Sequence, residues 1–314
     1  MLRRRISIVL LAATGCLFSH TGFAFSKDSS SFIKLYEDTL KQLQYGRIDA
    51  RKTDIQKQEI NKRFTILLQK ALNLPNSFNY PFDSLKTIAR LESPDKKFRL
   101  INWNLPKEDG TQEYFGFVQS LNPKTKKYQV YCLIDKSDEI TDQQGKVLSP
   151  DKWVGMLFYK IIVEQAEKKP QYVLLAWKGY NKLVNKKIVD VISFNSEGVP
   201  SFGKSIFNHL PSGFKGSPKR VIFQYSSTVS MTLDYNDKKD MILFDHLGPM
   251  QDGLEGQYQF YGPSFQIDGL AFTDGKWNFI ENVDARNNNH GDSKFNDPEK
   301  SDPPVNKKPI YTPH

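Results

Sequence analysis

The feature that most constrains this chain is a change of hydrophobic period at Phe98. Before it, apolar residues recur every three or four positions; after it they alternate at every second position almost to residue 280. Alternation of that length requires pleated strands with one face or both buried, joined by turns. Strands are expected at 98–105, 114–118, 128–134, 153–163, 172–177, 188–194, 220–225, 229–235, 241–244, 257–261, 265–272 and 276–280. Asp109-Gly110, Asn236-Asp237, Asp252-Gly253 and Asp274-Gly275 supply turn chemistry between them. No helix-length pattern interleaves with the strands, which argues against a parallel α/β sheet. Two longer connections, 137–151 and 198–219, break the rhythm.

Upstream, Ser29, Ser30 or Ser31 can cap a helix with Phe32, Tyr36, Leu40 and Leu43 at helical spacing, stopped by Gly46. Thr53 with Gln56 forms a capping box for a second helix bearing Ile60, Phe64, Leu67, Leu68 and Ala71. Lys57, Lys62, Arg63 and Lys70 are expected on its solvated side, and a third short helix is expected over 82–91. The fold class that follows is α+β and β-dominated: N-terminal helices packed on a large antiparallel β meander, as a curved sheet, a sandwich or a degenerate propeller. The segments are a signal peptide at 1–24, a helical part at 25–92, a β domain at 93–283 and a disordered polar tail at 284–314.

The signal peptide rests on three parts. Arg3, Arg4 and Arg5 form a basic start, an apolar stretch runs from Ile6 to Ala13, and Gly22-Phe23-Ala24 suits cleavage after Ala24. A competing reading makes Ala13-Thr14-Gly15-Cys16 a degenerate lipidation signal, with Cys16 as the acylated residue. Either way the chain is exported, to the periplasm or the outer membrane, and is not an integral membrane protein, since the apolar run is too short to span.

Charge and composition then narrow the function. The formal charge is +9; losing three Arg with the signal leaves 41 basic against 35 acidic side chains, a net of +6. The excess is scattered as Lys-Lys pairs in expected turns, which keep sheets soluble and do not form a nucleic-acid footprint. Cys132 would be the only thiol of the mature fold, expected to be a small buried hydrophobe on a strand. There is no metal-binding His or Cys spacing, no phosphate loop and no nucleophile elbow, so no metal and no cofactor is expected.

Two groups of residues could do chemistry. Asp245 and His246, with Glu255 nearby, could supply an acid–base pair for a hydrolase, although neighbours on a strand point to opposite faces. The alternative for that corner is a structural turn. The second group is aromatic and amide-rich: Asn102, Trp103, Asn104, Tyr261 and Asp268 are ligand-binding candidates, because exposed aromatics on a rigid sheet suit sugar rings or peptide grooves. Most aromatics on strands are nevertheless expected to pair with each other in the core.

Several of these residues belong to longer patterns. Ser93-Pro94-Asp95-Lys96-Lys97-Phe98-Arg99 leads into Asn102-Trp103-Asn104-Leu105-Pro106 and Tyr114-Phe115-Gly116-Phe117-Val118-Gln119. Later come Phe244-Asp245-His246-Leu247 with Pro249, and Tyr261-Gly262-Pro263 with Phe265 and Asp268-Gly269. Together they resemble a family of exported proteins of unassigned function in the Bacteroidota, over roughly residues 80–285. The resemblance implies cell-envelope residence and a shared β-rich domain, and carries over no catalytic residue. The expected function is a non-catalytic envelope module that binds a protein or glycan partner. The alternatives are an envelope-polymer hydrolase using Asp245, His246 and Glu255, and a structural lipoprotein anchored at Cys16.

Overall fold

The computed structural model describes residues 28–166, 169–211, 214 and 217–284. The signal peptide, its cleavage point after Ala24, Cys16 and the polar tail from residue 285 lie outside the described residues. Two helices open the fold, α1 (Asp28–Gly46) and α2 (Asp54–Leu72). The capping box at the start of α2 is present: Gln56 N donates to Thr53 Oγ1 at 3.3 Å, and Thr53 N donates to Gln56 Oε1 at 3.1 Å. Such a box satisfies two amides that a helix start would otherwise leave open.

The strands form three sheets, built mainly from antiparallel neighbours in sequence. The first contains β1 (Ala89–Glu92), β2 (Phe98–Pro106), β3 (Gln112–Leu121) and β4 (Tyr128–Ile134), all antiparallel and in chain order. The second takes β5 (Leu157–Ala166), β6 (Lys169–Gly179), β7 (Val184–Phe194), β8 (Pro200–Phe202) and β10 (Val221–Ser226), with β6 and β7 at its centre. The third is β11 (Leu233–Asn236), β12 (Met241–Pro249), β13 (Tyr261–Thr273) and β14 (Lys276–Ile280). Its far edge is closed by β9 (Phe207–Asn208), which pairs with β14 in parallel.

Period-2 alternation explains how these pieces stack. In the first sheet Ile101, Trp103 and Phe117 join a core with Phe64, Leu68 and Leu40 of the helices, while Leu100, Tyr114 and Val118 face the second sheet. In the second sheet Leu174, Ala176 and Ile188 meet the first, and Val173, Leu175, Val189 and Val191 meet Phe244, Leu270 and Trp277 of the third. The order is therefore helices, first sheet, second sheet, third sheet. The middle strands are apolar on both faces because both faces are covered. Each fully buried Leu or Val in them contributes roughly 1.5–3 kcal/mol of burial free energy. Trp277 fastens the third sheet to the second by donating from Nε1 to Gln171 Oε1 at 3.2 Å.

Several expectations need correction. The α+β, β-dominated class holds, with the strands divided among three sheets. The stretch expected as a third helix turns at Phe82, whose φ is 52°, and then forms β1 against β2. Long-range pairing outweighs local period there. Residues 258–260 form a 3-10 turn instead of a strand, and 229–232 lie outside β11. On α1 the buried face carries Ile33, Glu37, Leu40 and Gln44, leaving Phe32 exposed. Lys57 is buried, its Nζ donating to Pro106 O at 3.2 Å and so tying α2 to the end of β2. Cys132 is exposed, because β4 is an edge strand whose outer positions are only partly covered. The long connections hold 3-10 turns at Ser137–Glu139 and Pro150–Lys152, and supply β8 and β9.

Candidate functional site

The seam between the second and third sheets opens into a cleft of about 260 Å³. Ile222, Phe223 and Gln224 of β10 form one wall, and Phe244 to Leu247 of β12 form the other. Tyr258, Tyr261 and Phe279 add aromatic surface, and Gln144 closes a side. Among the described lining residues there is no Lys or Arg. The volume lies just below the roughly 300–1,000 Å³ of typical small-molecule sites, enough for a ligand about one ring across.

An irregular hairpin positions the polar groups. Phe244 pairs with Asp268 and Asp245 with Ile267, but the next pair is Leu247 with Pro263. His246 therefore stands opposite three residues, Ser264, Phe265 and Gln266, that have no ladder partner in β12. Bulges of this kind re-aim side chains. Strand alternation already puts His246 on the same side as Phe244 and its partner Asp268; the bulge removes a direct partner from opposite it, and its Nδ1 lies 2.7 Å from Asp268 Oδ2. Asp268 is 2% exposed and its other oxygen accepts from Gln266 Nε2 and from Asn282 N, each at 3.0 Å. A carboxylate is acceptor-only, so Nδ1 donates to it, and Nε2 remains as the ring's other hydrogen-bonding atom.

The other sequence candidates fall elsewhere. Asp245 lines the cleft but its Oδ2 accepts from Thr232 N at 2.6 Å, which commits it to holding the chain before β11. Glu255 sits in the exposed turn between β12 and β13 and accepts weakly from Gly253 N at 3.4 Å. Asp245, His246 and Glu255 do not converge. Asn102 and Trp103, offered as ligand contacts, are interior: Trp103 Nε1 donates to Asn61 Oδ1 and Asn102 Nδ2 to Met156 O, both at 2.8 Å. Asn104 bonds Gln112 Oε1 at 2.7 Å, outside the cleft. Tyr261 and Asp268 do belong to the cleft, where the sequence had not paired Asp268 with His246.

The 3-10 turn and the bulge leave apolar side chains outside. Phe265 is fully exposed, and Tyr258, Phe260 and Met250 are exposed on the same excursion between β12 and β13. Tyr258 and Tyr261 rings lie 5.1 Å apart, inclined at 60°. No three His, Cys, Asp or Glu side chains among the described residues are grouped so as to hold a metal ion. No described helix is long and apolar enough to cross a membrane. No family model, curated protein or solved structure matches this chain.

Proposed function

We propose that this chain is an exported cell-envelope protein that binds a glycan, taking a neutral, hydroxyl-rich ring into the cleft at His246. The observation that carries this reading is the His246–Asp268 pair set among aromatic walls. Aromatic faces suit the C–H face of a pyranose, while an oriented imidazole nitrogen, Gln224 and Gln144 suit its hydroxyls. The absence of Lys and Arg from the described lining disfavours phosphate or carboxylate as the main recognition element. Export rests on the basic, apolar and small-residue pattern at 1–24, and the resemblance to Bacteroidota envelope proteins points the same way.

A hydrolase at Asp245, His246 and Glu255 has less support, because two of the three side chains are engaged elsewhere. At that cleft a protein partner is favoured only by the exposed Phe260 and Phe265. The test is a glycan array with the full mature chain, followed by calorimetry on the best hits. Saturable binding that His246→Ala abolishes is the expected result. An array without hits, together with crosslinking that captures an envelope protein through Phe265, would replace this reading with a protein-binding one.

A further inference from the structure

The β4 edge of the first sheet has no strand beside it, and β4 holds no charge, proline or glycine from Tyr128 to Ile134. Exposed edges are ordinarily blunted by charge, proline or a bulge, because a row of unpaired N–H and C=O groups recruits another strand. Which groups are unpaired follows from the β3–β4 hairpin. Asn122 N donates to Lys127 O at 2.9 Å where it closes. Ladder bonds alternate along an antiparallel pair. Gln129, Tyr131 and Leu133 therefore bond to β3, while Tyr128, Val130, Cys132 and Ile134 turn their N–H and C=O outward. Ile134 shows that direction, since its carbonyl accepts from Trp153 N at 3.0 Å. Among the described residues nothing bonds the outward groups of Tyr128, Val130 or Cys132.

The same strand runs into a second cleft, of about 780 Å³, which shares no lining residue with the first. Phe115 pairs with Ile134, so Phe115, Cys132 and Ile134 share one face of the sheet, and all three line the cleft. Five carboxylates and three lysines line it too. Each lysine is spent on a carboxylate, at 2.5 to 3.8 Å. Lys178, 4% exposed, also donates to Gly155 O at 2.7 Å and to Ser137 Oγ at 2.9 Å. Asp109 and Asp138 are exposed and have no cation that close, which leaves the cleft with two negative charges in excess.

We propose that the outer edge of β4 takes an extended, basic peptide segment of a partner protein as a fifth strand of the first sheet, with an apolar side chain in this cleft. The main-chain groups of Tyr128, Val130 and Cys132 supply bonds that any sequence can make, and the cleft supplies the selection. An apolar side chain at the Cys132 end meets Phe115 and Ile134, and a flanking lysine or arginine meets Asp109 and Asp138. Trp153 occupies the edge from Ile134 onward, so the segment that pairs is about five residues long. No residue of the His246 cleft takes part.

The experiment uses the full mature chain, isotope-labelled for NMR, and an acetylated heptapeptide of alternating lysine and valine. Saturable binding is expected, with amide exchange slowed at Val130 and Cys132 and unchanged at Tyr131 and Leu133, which β3 already protects. A glutamate–valine heptapeptide should bind more weakly by roughly tenfold or more. Val130→Pro removes an outward N–H and no bond of the β3 ladder, and should weaken binding roughly tenfold. Should that variant fail to fold, the wild-type exchange pattern and the glutamate–valine peptide decide. No saturable binding up to about 1 mM, exchange slowed elsewhere but not at Val130 and Cys132, or equal affinity for the two peptides overturns the proposal. So does slow exchange at both amides without peptide in a chain that sediments as a dimer, since a second copy then fills the edge. His246→Ala should bind the peptide as wild type does, so failure here leaves the glycan reading standing.

Discussion

Arg220 Nε donates to Asp190 Oδ2 at 3.1 Å with both side chains sealed from solvent, and the same guanidinium also bonds the carbonyls of Gln143, Lys146 and Phe202. Burial raises the Asp190 pKa, and Arg220 opposes that shift. One side chain thus ties β10 to β7, to β8 and to the 143–146 segment, whose Gln144 forms a side of the His246 cleft. Removing it takes the charge partner from a buried carboxyl and a donor from three carbonyls, of which only that of Phe202 keeps another, the Leu148 amide. Arg220→Met is expected to cost about 3–5 kcal/mol in urea unfolding, with much of that recovered by adding Asp190→Leu. A single-variant loss under about 1 kcal/mol would contradict this account.

Arg47 presents the opposite case. It is fully buried between the helices and the first sheet, 4.3 Å above the Phe64 ring, with one hydrogen bond to Thr87 Oγ1. Its Nε and Nη1 have no acceptor, and burial lowers its pKa to about 10. Arg47→Met keeps the packing and removes two unsatisfied donors. Its stability is expected to equal wild type or exceed it by up to about 2 kcal/mol, measured by thermal and urea unfolding side by side.

At the cleft, binding and stability should separate. His246 is partly exposed, so His246→Ala should change unfolding free energy by no more than about 0.5–1 kcal/mol while removing saturable glycan binding. Asp268→Asn keeps the shape but lets the ring choose either tautomer, and is expected to weaken binding roughly tenfold. Equal affinity in Asp268→Asn and wild type would mean that the orientation of His246 is irrelevant.

Lys186 provides a stability signal in mildly alkaline solution. Burial, with a smaller push from Lys178, lowers its pKa to about 8 in the fold from the usual 10.5. Between those values the unfolded chain holds a proton that the folded chain has released, so stability rises with pH across the window. Below about pH 8 the full penalty of the buried charge applies. Lys186→Met should therefore be more stable than wild type near pH 7, by on the order of 2 kcal/mol, with the difference shrinking by pH 10. Parallel pH profiles for the two proteins would contradict this.

What could be read from the sequence depended on range. The bounds of β4 and β14 and the capping box at Thr53 follow from local pattern and are present as expected. The runs Tyr172–Ala176 and Ile188–Ile192 are apolar at nearly every position, which marks strands covered on both faces; that is the signature of a central sheet. Residues 89–92 carry no local sign of being a strand, because what makes them one is β2. The His246–Asp268 pair was equally hidden. Counting register from Asp252-Gly253 assumes a tight turn and a regular ladder, whereas the ladder starts only at Pro249 and Tyr261 and then skips residues 264–266. Lys57 and Lys178 look like surface lysines until the carbonyls that receive them are placed.

The parallel pairing of β9 with β14 has a bearing on synthesis. Phe207 leaves the ribosome some seventy residues before its partner Trp277. Until Trp277 arrives, the edge at β9 is open, Gln171 lacks its indole, and Phe279 is missing from the cleft. The cleft at His246 is therefore among the last parts of the described chain to come into being. A nascent chain would carry the helices and the first sheet with the cleft at His246 still unbuilt, and a chain cut short before Trp277 would lack both Phe279 from the cleft wall and the indole that fastens the third sheet to the second.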